Sequence, residues 1–238
     1  MTEIRNYDTL ALVASAAAEN AVEILQEAII RNGEAYWVLA GGSSPIAAYK
    51  ELVQDYADAV DWSKVTVLIG DERFVPLDHE DSNWGTIMKI FDANEYFKDM
   101  VRIEPDILST IELTAQSYES RIQSLAINQF DLVWIGVGED GHTLSLFPAN
   151  PALVDEASTW VVSVHHAPKL PSERFSLSLE AMRHVTELVI FATGASKKNI
   201  LRQARLKGGL PISVVAEEVE SSGGEVRWLY DDAAWGEV

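Results

Sequence analysis

With 238 residues, 47% of them apolar and spread without low-complexity tracts, the chain is long enough to bury a substantial core and is expected to fold as one domain over residues 1–238. Its 18 basic residues are outnumbered by 37 acidic ones, a net charge of −19, which argues against nucleic-acid and anionic-membrane partners except where positive charge is concentrated locally. Cysteine is absent, which excludes disulfides and thiolate chemistry, and neither a basic flank at Met1-Thr2-Glu3-Ile4-Arg5 nor a run of roughly 20 apolar residues is present, so the expected setting is the cytoplasm.

Apolar residues at helical spacing between Asp8 and Arg31 (Leu12, Ala16, Val22, Leu25, Ile29), with Gly33 as a stop, predict a helix with one buried stripe. Tyr36 to Ala40 is a strand-length apolar run. Gly41-Gly42-Ser43-Ser44-Pro45 follows, and Ile46 to Tyr56 reads as a helix with Pro45 at its first position. The same grammar recurs at Val65 to Ile69 before Gly70-Asp71-Glu72-Arg73, at Leu132 to Ile135 before a Gly-rich turn, and at Leu188 to Ala192 before Thr193-Gly194. Thr110 to Ile127 supplies one of the intervening helices. Continuous apolar strands alternating with amphipathic helices predict an α/β fold, a mostly parallel, Rossmann-like sheet with helices on both faces. Phe175 to Leu179 and Val226 to Tyr230 alternate and read as possible antiparallel additions. Trp37 and Trp134, inside predicted strands, read as core.

In such sheets ligands collect beyond the carboxyl ends of the strands, where the polar loops of this chain fall. Gly41-Gly42-Ser43-Ser44-Pro45 offers hydroxyls and backbone donors at a helix start, suited to a phosphate or carboxylate, or equally to a tight turn with a serine cap. Gly136-Val137-Gly138-Glu139-Asp140-Gly141 fits G-x-G-x-x-G, but Asp140 would oppose a pyrophosphate, and the next strand, Val161 to Val164, ends in His165-His166 in place of a ribose-binding acid. A dinucleotide is therefore not expected. His142, beside Asp140, has the imidazole–carboxylate arrangement that takes a proton from water. Alone it would read as a histidine bonded to its own loop; Asp71-Glu72-Arg73 at another strand end reverses that preference by bringing a carboxylate and a permanent cation toward the same crevice. Arg174, in a Pro-flanked loop, and Lys197, in a first helical turn where the dipole disfavours a cation, suggest a bound anion together with the serine loop; Lys198 reads equally well as surface. The acidic run from Asp71 to Asp81 lacks metal-ligand spacing, and Asp81-Ser82-Asn83 reads as a helix cap, so no metal is expected.

Four segments in register resemble the 6-phosphogluconolactonases, within the wider family that also contains glucosamine-6-phosphate deaminases: Leu39 to Pro45; Gly70 to Pro76 with Ser82-Asn83; Phe130-Asp131-Leu132 through Gly138-Glu139-Asp140-Gly141-His142-Thr143 to Pro148; and Pro168-Lys169 through Arg174 to Lys197. The resemblance implies a fold of the NagB/RpiA/CoA-transferase type. It also implies hydrolysis of a phosphorylated sugar lactone, 6-phospho-D-glucono-1,5-lactone, in the oxidative pentose phosphate pathway, without an organic cofactor and by a monomer or homodimer. Ser44 stands where the family commonly has threonine, and Leu144 where a smaller residue is common. In the deaminases a carboxylate that assists ring opening comes just before the proline of the Asp-Gly-His segment; here that position is Phe147. Arg73 likewise matches the lactonase pattern. The expected catalytic residues are His142 as general base, Asp140 or Asp71 orienting it or the substrate, and Arg73 stabilising the oxyanion or ordering the pocket. Phosphate recognition carries over to Ser43, Ser44, Arg174, Lys197 and the Gly42 backbone. A deaminase-like isomerase and a non-catalytic sugar-phosphate sensor are the competing readings.

Overall fold

The computed structural model describes residues 2–153 and 158–235, so both ends of the expected 1–238 span lie outside the described residues. The elements run β1 (Thr2–Tyr7), α1 (Leu10–Asn32), β2 (Ala35–Leu39), α2 (Ser43–Asp55), β3 (Val65–Ile69), β4 (Asp71–Arg73), α3 (Asn83–Phe91), β5 (Val101–Ile103), α4 (Ile111–Ser124), β6 (Phe130–Gly136), β7 (Val161–Val164), β8 (Arg174–Leu177), α5 (Leu179–Met182), β9 (Val185–Ala192), α6 (Lys198–Lys207), α7 (Pro211–Ser221) and β10 (Glu225–Asp231). Local chemistry sets the boundaries. The Thr9 hydroxyl accepts from the Leu12 N–H at the start of α1, and Gly33, at φ 86°, closes the helix by donating its N–H to Ile29. Ser82 caps α3 as the sequence suggests, accepting from the Gly85 N–H. Helix α2 begins at Ser43, so Pro45 is its third residue and not its first; the position is tolerated because first-turn N–H groups have no intrahelical acceptor.

Seven strands form one parallel sheet in the order β1-β10-β9-β6-β2-β3-β5. The order reverses between β6 and β2, since the chain builds outward from β2 through β3 to β5 and, separately, from β6 through β9 to β10. A crevice opens at such a reversal, beyond the carboxyl ends of the strands. Val226 to Tyr230 is not an antiparallel addition: β10 runs parallel to both β9 and β1. Its alternation comes from Arg227, which bridges the flanking strands by pairing with Glu3 at 2.6 Å and Glu187 at 2.7 Å.

A second sheet of three antiparallel strands, β4-β8-β7, contains the expected antiparallel segment at β8 and also recruits Asp71–Arg73, read from sequence as a loop. Trp37 and Trp134 are fully buried in the main core, ring centroids 4.9 Å apart, with Tyr49, Phe91 and Phe191 around them. Among the described residues no helix is long and apolar enough to cross a membrane.

Candidate active site

A cleft of about 320 Å³ opens at the reversal point, walled by the ends of β2, β6 and β9 and roofed by β4 and β8. On its β6 side the chain turns through Gly138 to His142, the Gly138 N–H donating to the His142 carbonyl at 2.8 Å. Asp140 Oδ1 accepts from the His142 backbone N–H at 3.2 Å and meets the imidazole Nδ1 at 2.5 Å. A carboxylate on Nδ1 holds the proton there and leaves Nε2 as the nitrogen free to accept one. Burial works to raise the Asp140 carboxyl, but the hydrogen bonds and charge of His142 outweigh it and hold the group below the usual aspartate range. Phe147 packs on the imidazole with centroids 4.4 Å apart, and the Arg174 guanidinium lies 5.4 Å from the centroid of the same ring.

Strand β4 sorts its three residues by the alternation of a pleated strand. Asp71 and Arg73 line the cleft. Glu72 points the other way and is fully buried, accepting from the N–H groups of Arg73, Asn83 and Trp84 and from the Ser82 hydroxyl, and so ties β4 to the start of α3. Asp71 accepts from the buried Ser145 hydroxyl at 2.6 Å. Arg73 donates to the Asp81 carbonyl at 2.6 Å.

Pairing of β4 with β8 sets Arg73 directly opposite Arg174. Like charges so placed repel unless an anion joins them. Arg174 is only 5% exposed, its Nε donating to the Pro171 carbonyl and its Nη2 to the Lys169 carbonyl at 3.0 Å each. Burial pulls its pKa below the usual arginine value, Asp71 opposing and Arg73 reinforcing. Across the cleft, Gly42 takes φ 100° ahead of α2, a conformation that glycine adopts without strain and that leaves the first-turn backbone of Ser43 and Ser44 at the cleft wall. The Ser44 hydroxyl is bonded to Thr193 at the end of β9. Lys197, half-buried on the same rim, has its pKa lowered by burial, with Glu139 opposing and Lys169 reinforcing.

His142, Asp71, Arg73, Gly42, Ser43, Ser44, Arg174 and Lys197 thus line one cleft, and Asp140 stands behind His142. Lys198 does not reach it. Sequence reasoning missed Lys169, Asn83 and Thr193. Lys169 carried a usable signal, as a scarce cation in the Pro-flanked stretch that leads into Arg174, itself the first residue of β8 and not a loop residue; Asn83 joins the cleft through a hydrogen bond from its side chain to the Asp71 carbonyl at 3.0 Å, which no spacing announces. Among the described residues no group of three or more His, Cys, Asp or Glu side chains gathers to hold a metal.

The family described as glucosamine-6-phosphate isomerases/6-phosphogluconolactonase has a model that matches residues 8–228. The probable 6-phosphogluconolactonase of Schizosaccharomyces pombe is 34% identical over 212 residues, covering 83% of this chain and 81% of that protein. The 6-phosphogluconolactonase of Streptomyces coelicolor is 31% identical over 242 residues, covering 94% and 89%. A solved 6-phosphogluconolactonase from Shewanella baltica superposes with a TM-score of 0.84 at 26% identity, over 97% of this chain and 98% of that one.

Proposed function

The chain belongs to the glucosamine-6-phosphate isomerase/6-phosphogluconolactonase family, and from that membership we propose that it hydrolyses 6-phospho-D-glucono-1,5-lactone to 6-phospho-D-gluconate, in the oxidative pentose phosphate pathway. It acts as a single domain in the cytoplasm, as a monomer or homodimer. The observation that carries the lactonase side of the family is the environment of His142: an imidazole oriented by Asp140 on one nitrogen and covered on its face by Phe147, where a deaminase would need a carboxylate.

A lactone is an activated ester, so catalysis needs a held water, a base and stabilisation of the charge that develops on the carbonyl oxygen. His142 Nε2 takes a proton from water as its oxygen attacks the lactone carbonyl, and the Asp140 carboxylate steadies the imidazolium that forms. Arg73 faces the developing oxyanion. Asp71, fixed by Ser145, orients the substrate hydroxyls or the water. When the tetrahedral intermediate collapses, the ring C–O bond breaks and the proton returns to the departing ring oxygen. The phosphate at the other end of the substrate is held by Arg174, Lys197, the hydroxyls of Ser43 and Ser44 and the Gly42 backbone, each charge-assisted bond contributing roughly 1.5–3 kcal/mol.

Hydrolysis of freshly generated phosphorylated lactone, corrected for the spontaneous reaction, tests the reading when run beside the unphosphorylated lactone. Arg174→Ala should raise KM at least about tenfold for the phosphorylated substrate and leave the unphosphorylated one nearly unchanged. Equal losses on both would remove Arg174 from phosphate binding, and no acceleration by the unmodified protein would overturn the function.

A further inference from the structure

Two buried tyrosines end the sheet where the cleft begins. In a parallel strand each residue directs its N–H and C=O to one side and the next residue directs them to the other. The Leu39 carbonyl accepts from the Gly70 N–H at 2.9 Å, so Leu39 faces β3 and Ala40 faces β6. The register of β2 with β6 runs Trp37↔Leu132 and Val38↔Val133 and extends no further, which leaves Ala40 without a strand partner. The Tyr49 hydroxyl, carried in from α2, replaces that partner: it accepts from the Ala40 N–H at 2.9 Å and donates to the Ala40 carbonyl at 3.2 Å.

The same device stands on the other flank. Ile69, level with Leu39, faces away from β2 toward β5, whose pairing with β3 stops at Leu68↔Ile103. The Tyr118 hydroxyl, from α4, accepts from the Ile69 N–H at 2.7 Å and donates to the Ile69 carbonyl at 3.0 Å. Both side chains are essentially inaccessible, and burial pushes both phenols well above their ordinary pKa, so each keeps the proton it must donate. Separating strand ends to open a cleft strips backbone groups of partners, and such groups are costly when buried. A helix-borne hydroxyl satisfies them without closing the gap.

We infer that Tyr49 and Tyr118 are positioning residues for the reaction, Tyr49 fixing the Gly41-Gly42-Ser43 loop that receives the phosphate and Tyr118 fixing the Gly70-Asp71 turn that serves the reacting end. The division of labour rests on the proposed lactonase reading for which end of the substrate each loop meets. Neither tyrosine lines the cleft, so each acts only through the backbone it holds.

The matched variants Tyr49→Phe and Tyr118→Phe make the same chemical change, deleting one hydroxyl and keeping the ring, and are compared per site competent to bind 6-phosphogluconate. Tyr49→Phe should weaken 6-phosphogluconate binding and raise KM about tenfold with kcat within about twofold of the unmodified protein. Tyr118→Phe should lower kcat about tenfold with KM and 6-phosphogluconate affinity within about twofold. A purely structural role would lower the melting temperature of both with no such split, and that outcome overturns the inference. If the unmodified protein fails to hydrolyse the lactone, the function falls, while 6-phosphogluconate binding still decides the roles of the two tyrosines: loss in Tyr49→Phe alone supports them, and equal effects refute them. Should Tyr49→Phe not fold, amide exchange of the unmodified protein decides. The Ala40 and Ile69 amides should exchange as slowly as those inside the ladder, and exchange as fast as that of exposed Gly42 refutes the positioning role of Tyr49 and Tyr118.

Discussion

The imidazole of His142 lies where a side chain at position 138 would have to be. A Cβ on Gly138 would fall 2.1 Å from His142 Nδ1 and 2.8 Å from Asp140 Oδ1, so the ring and its carboxylate are seated against a bare α-carbon. Gly138→Ala should force the imidazole off Asp140. A displacement of about 1 Å at a reacting group costs on the order of 10²-fold, so kcat should fall by about that factor while 6-phosphogluconate affinity stays close to that of the unmodified protein, because the proposed phosphate contacts lie on other loops. Unchanged turnover would mean that the ring has another productive seat. The Asp140-Gly141-His142 group was legible in the sequence because its partners are chain neighbours. The Ser44–Thr193 and Ser145–Asp71 bonds were not, because each joins residues far apart in the chain that only the sheet brings together.

At the scale of elements, the short strand β4 carries the most consequence for its length. Its outward pair, Asp71 and Arg73, lines the cleft, and its inward Glu72 accepts from four donors, three of which, on Ser82, Asn83 and Trp84, hold the beginning of α3. Glu72→Gln places an amide N–H₂ against donors and leaves at least one of them unpaired in the core. The expected loss is about 1–3 kcal/mol of stability in a denaturant titration; an unaltered midpoint would show that the carboxylate is not what anchors β4 to α3. The Gly70-Asp71-Glu72-Arg73 segment was placed at the crevice from sequence but not as a strand, since three polar residues after a glycine carry no strand periodicity and their pairing with β8 is long-range. The long buried strands and capped helices were legible for the opposite reason: β3 is apolar throughout, and α1 states both its caps in Thr9 and Gly33. Strand β1 was missed because, as an edge strand that is largely exposed, it is free to be polar; β10 was mistaken for antiparallel because Arg227 imposed a false alternation on a buried strand.

Across the whole molecule, a chain of net charge −19 must attract a phosphorylated substrate against its own field. The proposed means is concentration: Arg73, Lys169, Arg174 and Lys197 line a single cleft, with Arg73 and Arg174 held side by side across β4 and β8. Composition revealed the global repulsion, and the scarcity of basic residues made Arg174 and Lys197 conspicuous, but only the pairing of β4 with β8 shows how Arg73 and Arg174 meet. Topology places that cluster and the His142 turn on one crevice at the strand-order reversal, which in the proposed mechanism joins recognition of a phosphate to activation of a water. The most direct measurement is the enzyme-dependent rate of 6-phosphogluconolactone hydrolysis, above the spontaneous rate, for the unmodified protein and for His142→Gln. Clear acceleration by the unmodified protein is expected, with a kcat lower by about 10² to 10⁴ in the variant and KM nearly unchanged; near-normal turnover by His142→Gln would remove His142 from the role of base.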